Sequence, residues 1–304
     1  MLFALFLILF EFILSSRAVQ TLLNKTDSLN SSSLIATVLG GHRVIRRDFY
    51  VQVIIMRGPD IKSWCGGSII AQKWVLTSAH CVNDIDTSDI VVRSGDFTNI
   101  HGTKLKIEVD IGYMEPEFST NKIWRMTNDV AILKVRNHTF ASHQILPPCP
   151  FYVTDCTILG FCGTGSTHSN THWAPISNEL KEILLFQKAP RCWDFLTGNR
   201  PDLLYTRRLH GRNVDNIYYG DSGGPLYVFG EFPENEPACV YGVASFFGGL
   251  TYYAFGKKWF DCYIGGSFFT SVPHFSRWIA GMIFYEENGH FQDEESLDYQ
   301  LANL

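Results

Sequence analysis

Gly220-Asp221-Ser222-Gly223-Gly224-Pro225 places one serine in a backbone that must turn tightly around it. Glycines on both sides can take positive φ and bring amide N–H groups close to a reacting carbonyl. Pro225 ends the turn and leads into the apolar run Leu226-Tyr227-Val228. The stretch reads as a nucleophile site whose own backbone can form an oxyanion hole. The plainer alternative is a Gly-rich hairpin with an incidental serine. A serine at its free pKa is a weak nucleophile, so the first reading requires a histidine base and a carboxylate that orients it, distant in sequence but adjacent in space. His80 closes the apolar run Trp74-Val75-Leu76-Thr77-Ser78-Ala79-His80-Cys81, as expected where a strand delivers an imidazole to the rim of a cleft. Asp129 stands at the head of the buried-strand pattern Val130-Ala131-Ile132-Leu133-Lys134-Val135. Either residue alone would more often be an ordinary surface group; three such contexts in the order His, Asp, Ser are what carry the reading.

Together these segments resemble the chymotrypsin-like (trypsin-fold) serine endopeptidases. The resemblance begins at Val38-Leu39-Gly40-Gly41, similar to that family's mature N-terminus, and runs through Cys65-Gly66-Gly67-Ser68, the His80 and Asp129 segments and Gly220 to Pro225. It closes with Phe275, Trp278, Ile279, Met282 and Ile283, apolar at helical spacing after Pro273. It implies an all-β fold of two six-stranded antiparallel barrels with a C-terminal helix, and an active site in the cleft between the barrels. It also implies a catalytic triad of His80, Asp129 and Ser222, an oxyanion hole from the backbone N–H groups of Gly220 and Ser222, and no cofactor. After removal of a propeptide, Asp221 would receive the new α-ammonium of Val38.

Composition agrees with this expectation. The chain of 304 residues is 46% hydrophobic, enough for a large core, and its net charge of −5 gives no general attraction to nucleic acid or an anionic membrane surface. Short β-branched or aromatic runs predict strands at 49–56, 73–77, 89–92, 104–109, 130–135, 180–185 and 239–245. Leu2 to Leu14 is an apolar run interrupted by Glu11, and small residues at Ser16 and Ala18 fit cleavage after Ala18. The run is shorter than the roughly 20 apolar residues a membrane span needs. The expected organisation is a signal peptide at 1–18, a propeptide at 19–37, a serine protease domain at 38–283 and an acidic tail at 284–304. That tail, with Glu286, Glu287, Asp293, Glu294, Glu295 and Asp298 and no Lys or Arg, is expected to be solvated. The product is expected to be secreted and extracellular.

Eight cysteines behind a signal peptide predict disulfides, since no Cys-X-X-Cys pair or His cluster has metal-ligand spacing. The resemblance implies a Cys65–Cys81 bridge. The other cysteines depart from the family pattern: Tyr218 stands where a cysteine is usual, which leaves Cys262 without its expected mate, and Leu209 stands where the mate of Cys192 is expected. Cys156 with Cys239 is the expected second bridge, with Cys149 and Cys162 left open. Asn24-Lys25-Thr26, Asn30-Ser31-Ser32 and Asn137-His138-Thr139 fit the glycan acceptor pattern.

Two further departures from the family bear on function. Leu34-Ile35-Ala36-Thr37 precedes Val38, where trypsin-activated members carry a basic residue, so a protease of another specificity must cut here, or none does. The base of the primary specificity pocket is Asn216, with Asp215 beside it, and the wall segment is Ser245-Phe246-Phe247. A neutral base predicts cleavage after uncharged residues. The expected partners are protein or peptide substrates, an activating protease and protein inhibitors. The alternative function is a secreted protease-like binding or regulatory protein without turnover.

Overall fold

The computed structural model describes residues 41–44, 47–95, 106–122, 125–154, 157–164, 180–187, 200–208, 217, 220–230, 236–248 and 266–289, all within one compact unit, 36–304. A two-residue strand, β1 (His42–Arg43), precedes the first barrel. That barrel is formed by β2 (Tyr50–Arg57), β3 (Asp60–Ala71), β4 (Trp74–Thr77), β5 (Ile90–Ser94), β6 (Lys106–Met114) and, after the small hairpin β7 (Ser119–Lys122) and β8 (Arg125–Thr127), β9 (Ala131–Val135). It closes in the order β2-β3-β4-β9-β6-β5. The second barrel comprises β10 (Ile158–Gly163), β11 (Lys181–Gln187), β12 (Leu203–Arg208), β13 (Pro225–Phe229), β14 (Pro237–Gly248) and β15 (Gly266–Ser271). Its order is β11-β10-β13-β14-β15-β12, closed by β11 pairing with β12, with β1 added at β11. All its pairings are antiparallel. The two-barrel expectation is met.

Strand alternation explains why β4 and β9 read as continuous apolar runs. Val75 and Leu133 point into the first barrel with Val51, Val53, Ile69 and Val92. Their neighbours Trp74, Leu76 and Ile132 point the other way, into a layer shared with Tyr227, Val240 and Val243 of the second barrel and with the C-terminal helix. A strand covered on both faces has no polar side to show. Each such aliphatic side chain contributes about 1.5–3 kcal/mol relative to exposure. The second barrel is filled by Leu159, Phe161, Ile183, Leu204, Leu226, Tyr241 and Phe269.

A four-residue helix, α1 (Ala79–Val82), follows β4, and α2 (Val272–Asn288) closes the described chain. Pro273 lies in the first turn of α2, and Gly289 ends it in the left-handed region at φ 77°. Phe275, Ile279 and Ile283 are buried, with Trp278 and Met282 packed beside them. The helix runs past Ile283, so Glu286 and Glu287 belong to it and not to a tail, Glu286 half-buried and Glu287 exposed. Glu286 accepts a hydrogen bond from Tyr113 and pairs with Lys134 at 3.1 Å, and Glu287 accepts from Trp74 Nε1 at 3.4 Å. Composition alone hid this, because the cation and the donors that these acids meet lie on β4, β6 and β9. The acids at 293–298 lie outside the described residues.

The barrels meet backbone to backbone. Gly66 N–H donates to the carbonyl of Ser222 at 2.7 Å. A Cβ on Gly66 would lie 2.8 Å from Gly224 Cα, and one on Gly223 would collide with Thr77 Oγ1 and Gly66 O. Gly223 also has φ +80°. Gly58, at φ +60°, has nothing within 4 Å of its would-be Cβ. Gly58→Ala is therefore expected to cost about 1 kcal/mol of backbone strain alone. Gly223→Ala is expected to cost several times that in thermal unfolding, because strain and overlap with backbone add; equal shifts of Tm for the two variants would refute the close approach.

Candidate active site

Buried β4 ends at Thr77, whose hydroxyl donates to Gly66 O at 2.9 Å, and the chain turns at Ser78 into α1. His80 thus stands on a short helical turn at the rim of the first barrel, its side chain 21% exposed. The next residue, Cys81, is bonded to Cys65 of β3, so the turn is stapled to the neighbouring strand. Asp129 lies just before β9 and is 1% exposed. It accepts the His80 backbone N–H on Oδ1 at 2.9 Å and pairs with His80 Nδ1 through Oδ2 at 2.8 Å. An ionised carboxylate only accepts, so the pairing places the imidazole proton on Nδ1 and leaves Nε2 as the basic nitrogen.

A buried carboxylate needs further donors. Ser245 Oγ donates to Asp129 Oδ2, and Thr270 Oγ1 donates to the Asp129 carbonyl at 2.9 Å. Both come from the second barrel. Sequence reading placed Ser245 only in the pocket wall and did not single out Thr270. Their contact with Asp129 depends on the docking of β14 and β15, which no local pattern encodes.

Ser222 is partly exposed at the head of β13, between Gly220 at φ 87° and Gly223 at φ 80°. Its loop is fixed from both sides: Gly66 holds the Ser222 carbonyl from β3, and Gly223 N–H donates to Ala244 O of β14 at 2.7 Å. Among the described residues, no protein group accepts from the Gly220 and Ser222 amides. Asp221 is fully buried, and its carboxylate occupies the space a side chain on Gly163 would need. Burial drives the Tyr50 hydroxyl far above the usual phenol range, the Asp221 charge adding to the effect against the hydrogen bonds to Thr164. The structure thus brings His80 and Asp129 into contact and sets the Ser222 loop against their barrel. Among the described residues, Ser222 Oγ makes no hydrogen bond with His80; Nε2 lies 3.6 Å from Cys81 Sγ.

Cys65, His80 and Cys81 form a group of potential metal ligands among the described residues. The two sulfurs are bonded to each other and supply no thiolate, so this donor set does not fit a zinc site. Cys239 bonds to Cys149, not to Cys156 as the sequence suggested. The reason is that the inter-barrel linker runs alongside β14, where Cys149 N–H donates to Val240 O and Val240 N–H to Pro147 O, each at 2.8 Å. Cys162 is free and buried. Asn137 is exposed in a turn after β9 at φ 50°. Val38, Asn216, Asn24, Asn30, Cys156, Cys192, Cys262 and the side chain of Phe247 lie outside the described residues.

Ser245→Ala removes one donor from the buried Asp129 carboxylate and is expected to destabilise the fold by ~1–3 kcal/mol. Chemical denaturation of the two proteins measures it; an unchanged midpoint would mean that the hydroxyl does not serve the carboxylate.

The chain matches the Trypsin family over residues 38–279. It is 32% identical over 196 residues to "Serine protease SSP1" of Scolopendra subspinipes, covering 60% of this chain and 62% of that protein. Over 261 residues it is 26% identical to "Chymotrypsin-like elastase family member 1" of Bos taurus, covering 82% and 90% of the two chains. Similar solved structures are neuropsin of mouse brain, at TM-score 0.60 and 19% identity over 81% of this chain and 100% of that one, and the scabies mite inactivated protease paralogue S-D1, at 0.59 and 17% over 82% and 97%. At those identities the structures speak for the fold alone. The match spans 62% of the centipede protease's length. With the family match covering both barrels and the first half of the C-terminal helix, the chain belongs to the trypsin family of serine proteases.

Proposed function

We propose that the protein is a secreted serine endopeptidase that hydrolyses peptide bonds through an acyl-enzyme on Ser222. The observation that carries this reading is the pairing of His80 with the buried Asp129 carboxylate beside a loop that exposes Ser222. His80 Nε2 takes the proton from Ser222 Oγ as the oxygen attacks the scissile carbonyl, and returns it to the leaving amine. Asp129 holds the imidazole tautomer and stabilises the imidazolium. The tetrahedral oxyanion is received by the Gly220 and Ser222 amides, each such donor contributing ~10²–10³ in rate. Water then enters, gives its proton to His80 and releases the acid.

The same reading makes the chain a zymogen with a signal peptide at 1–18, a propeptide at 19–37, a protease domain at 38–283 extended by the rest of α2, and an acidic tail. No described helix is long and apolar enough to cross a membrane. Cleavage before Val38 by a protease that does not require a basic residue frees an α-ammonium for Asp221. That carboxylate is fully buried. Glycans are carried at Asn24, Asn30 and Asn137, the last of which is exposed. By the resemblance, Asn216, Ser245 and Phe247 are assigned to the primary specificity pocket, and a neutral residue at its base favours an uncharged substrate residue. A second reading, a binding or regulatory protein of this fold without turnover, draws on the missing hydrogen bond between Ser222 and His80. Catalytic hydrogen bonds of this kind often tighten only in the substrate complex.

Ser222→Ala keeps the turn and removes the attacking oxygen. It is expected to be secreted normally and to lose peptidase activity towards the ~10³–10⁴-fold residual over water that oxyanion binding supplies. A variant as active as the parent would overturn the role of Ser222, and a parent without activity would favour the second reading. N-terminal sequencing of material that turns over substrate is expected to start at Val38; an active form beginning well before Val38 would exclude the ion pair. A peptide-library profile is expected to favour uncharged residues before the cut, and strong preference for Arg or Lys would mean that another acid reaches the pocket.

A further inference from the structure

The last residues before Asp129 are held from the second barrel by a pair of side chains that the mechanism above does not use. Asn128 has φ 53°, a conformation that costs energy for any residue with a Cβ. Its N–H points to Asp202 Oδ2 at 3.5 Å, and the Met126 carbonyl accepts Arg200 Nη2 at 3.0 Å. Arg200 and Asp202 lie immediately before β12. Arg200 Nε donates to Asp202 Oδ1 at 2.9 Å and Nη2 to Oδ2, a two-point pairing between side chains only 12% and 11% exposed. The Asp202 carbonyl accepts the Ser271 N–H at 2.9 Å, which ties the pair to the end of β15. Burial pushes the Asp202 carboxyl up, but the hydrogen bond and charge of Arg200 outweigh it and hold the group below the usual carboxylate range.

On the reading that Asp129 is the triad carboxylate, we infer that Arg200 and Asp202 are positioning residues that set the place of Asp129 relative to His80. Residues 126 and 127 are paired with β7 through Ser119 and Thr127, and among the described residues Asn128 and Asp129 are tied on their own side by the Val130 N–H to Asn128 carbonyl bond at 2.9 Å and by the contacts to His80. Four polar atoms of the turn 126–129 are held from the second barrel: Met126 O by Arg200, Asn128 N by Asp202, Asp129 O by Thr270 and Asp129 Oδ2 by Ser245. Ser245 Oγ also lies 3.9 Å from Met126 Sδ, so the turn and β14 are packed together. The pair grips the two backbone groups that determine where the chain enters Asp129. If it lets go, the left-handed turn at Asn128 loses its tie and the carboxylate moves against the imidazole. A displacement of about 1 Å at a catalytic group can cost ~10²-fold in rate.

The test uses the full chain processed to begin at Val38. Arg200→Ala is expected to lower kcat about 10–100-fold while KM changes less than twofold, because substrate binding surfaces are untouched. Arg200→Lys keeps the charge without the planar fork and is expected to restore part of kcat. Arg200→Leu with Asp202→Leu leaves no orphan charge, so it separates misfolding from mispositioning; it is expected to fold and still show the kcat loss. A readout free of turnover comes from the Ser222→Ala protein, in which NMR follows the His80 Nδ1 proton in its hydrogen bond to Asp129. That resonance is expected to shift or broaden in the double-leucine variant. Unchanged kcat, or a fall in Tm with the Nδ1 proton unmoved, would overturn the inference. If the parent shows no turnover at all, the protease reading fails while the NMR comparison still decides the positioning role.

Discussion

Between the two barrels runs one short backbone hydrogen bond, from Gly66 N–H to the Ser222 carbonyl at 2.7 Å, and the candidate site depends on the approach it requires. Backbones can come that near only where no Cβ intervenes, and Gly66 and Gly223 meet this demand from the two sides. On one side of the contact, β4 ends and hands the chain to the turn bearing His80. On the other, β13 begins. The loop between Gly220 and Pro225 is thus held by two sheets, by Gly66 of β3 and by Ala244 of β14. A side chain on either glycine would push the nucleophile loop away from the barrel that carries the base.

The second constraint is electrostatic. Asp129 belongs to the first barrel by chain position, yet the second barrel supplies the hydroxyls of Ser245 and Thr270 that bind it. The His80 N–H, the His80 ring and the Ser245 hydroxyl surround the buried carboxylate and fix its place. The arrangement ties chemistry to folding, since neither barrel alone completes the carboxylate's surroundings. Asp221 of the second barrel is likewise fully buried, and its charge is felt by the buried Tyr50 hydroxyl of the first. The inter-barrel layer is completed by Trp74, Leu76, Tyr227 and Val243 and capped by α2, whose Glu286 and Glu287 reach back to Tyr113, Lys134 and Trp74.

Much of this was legible in the sequence for a physical reason: the residues that need special backbone or special neighbours announce themselves. The glycines around Ser222, the small residues before His80 and the β-branched run after Asp129 each point to a local structure, and the strands β2, β4, β5, β6, β9, β11 and β14 fall where their patterns predict. Strands β10 and β15 were missed because Gly160, Gly163 and Gly266 break the pattern that strand reading relies on, while β12 ends in the charged pair Arg207-Arg208. Gly160 is in a strand because Tyr227 occupies the place of any side chain there, a tertiary fact. The partner of Cys239 differs for a similar reason: a cross-barrel link shifted to the neighbouring strand pointed to Cys156, whereas the route of the linker along β14 brings Cys149 to it. The acids at 286 and 287 read as tail residues, whereas the helix carries them to Lys134 and to the Trp74 indole.

The central claim is that docking of the two barrels makes Ser222 a reactive nucleophile in the chain that begins at Val38. Reaction of that processed chain with a fluorophosphonate, followed by peptide mass spectrometry, tests it directly. A single adduct on the peptide containing Ser222 is expected, formed far more slowly in the unprocessed chain and absent in His80→Ala. No adduct on the processed chain, or labelling of Ser222 that is as fast without His80, would contradict the account.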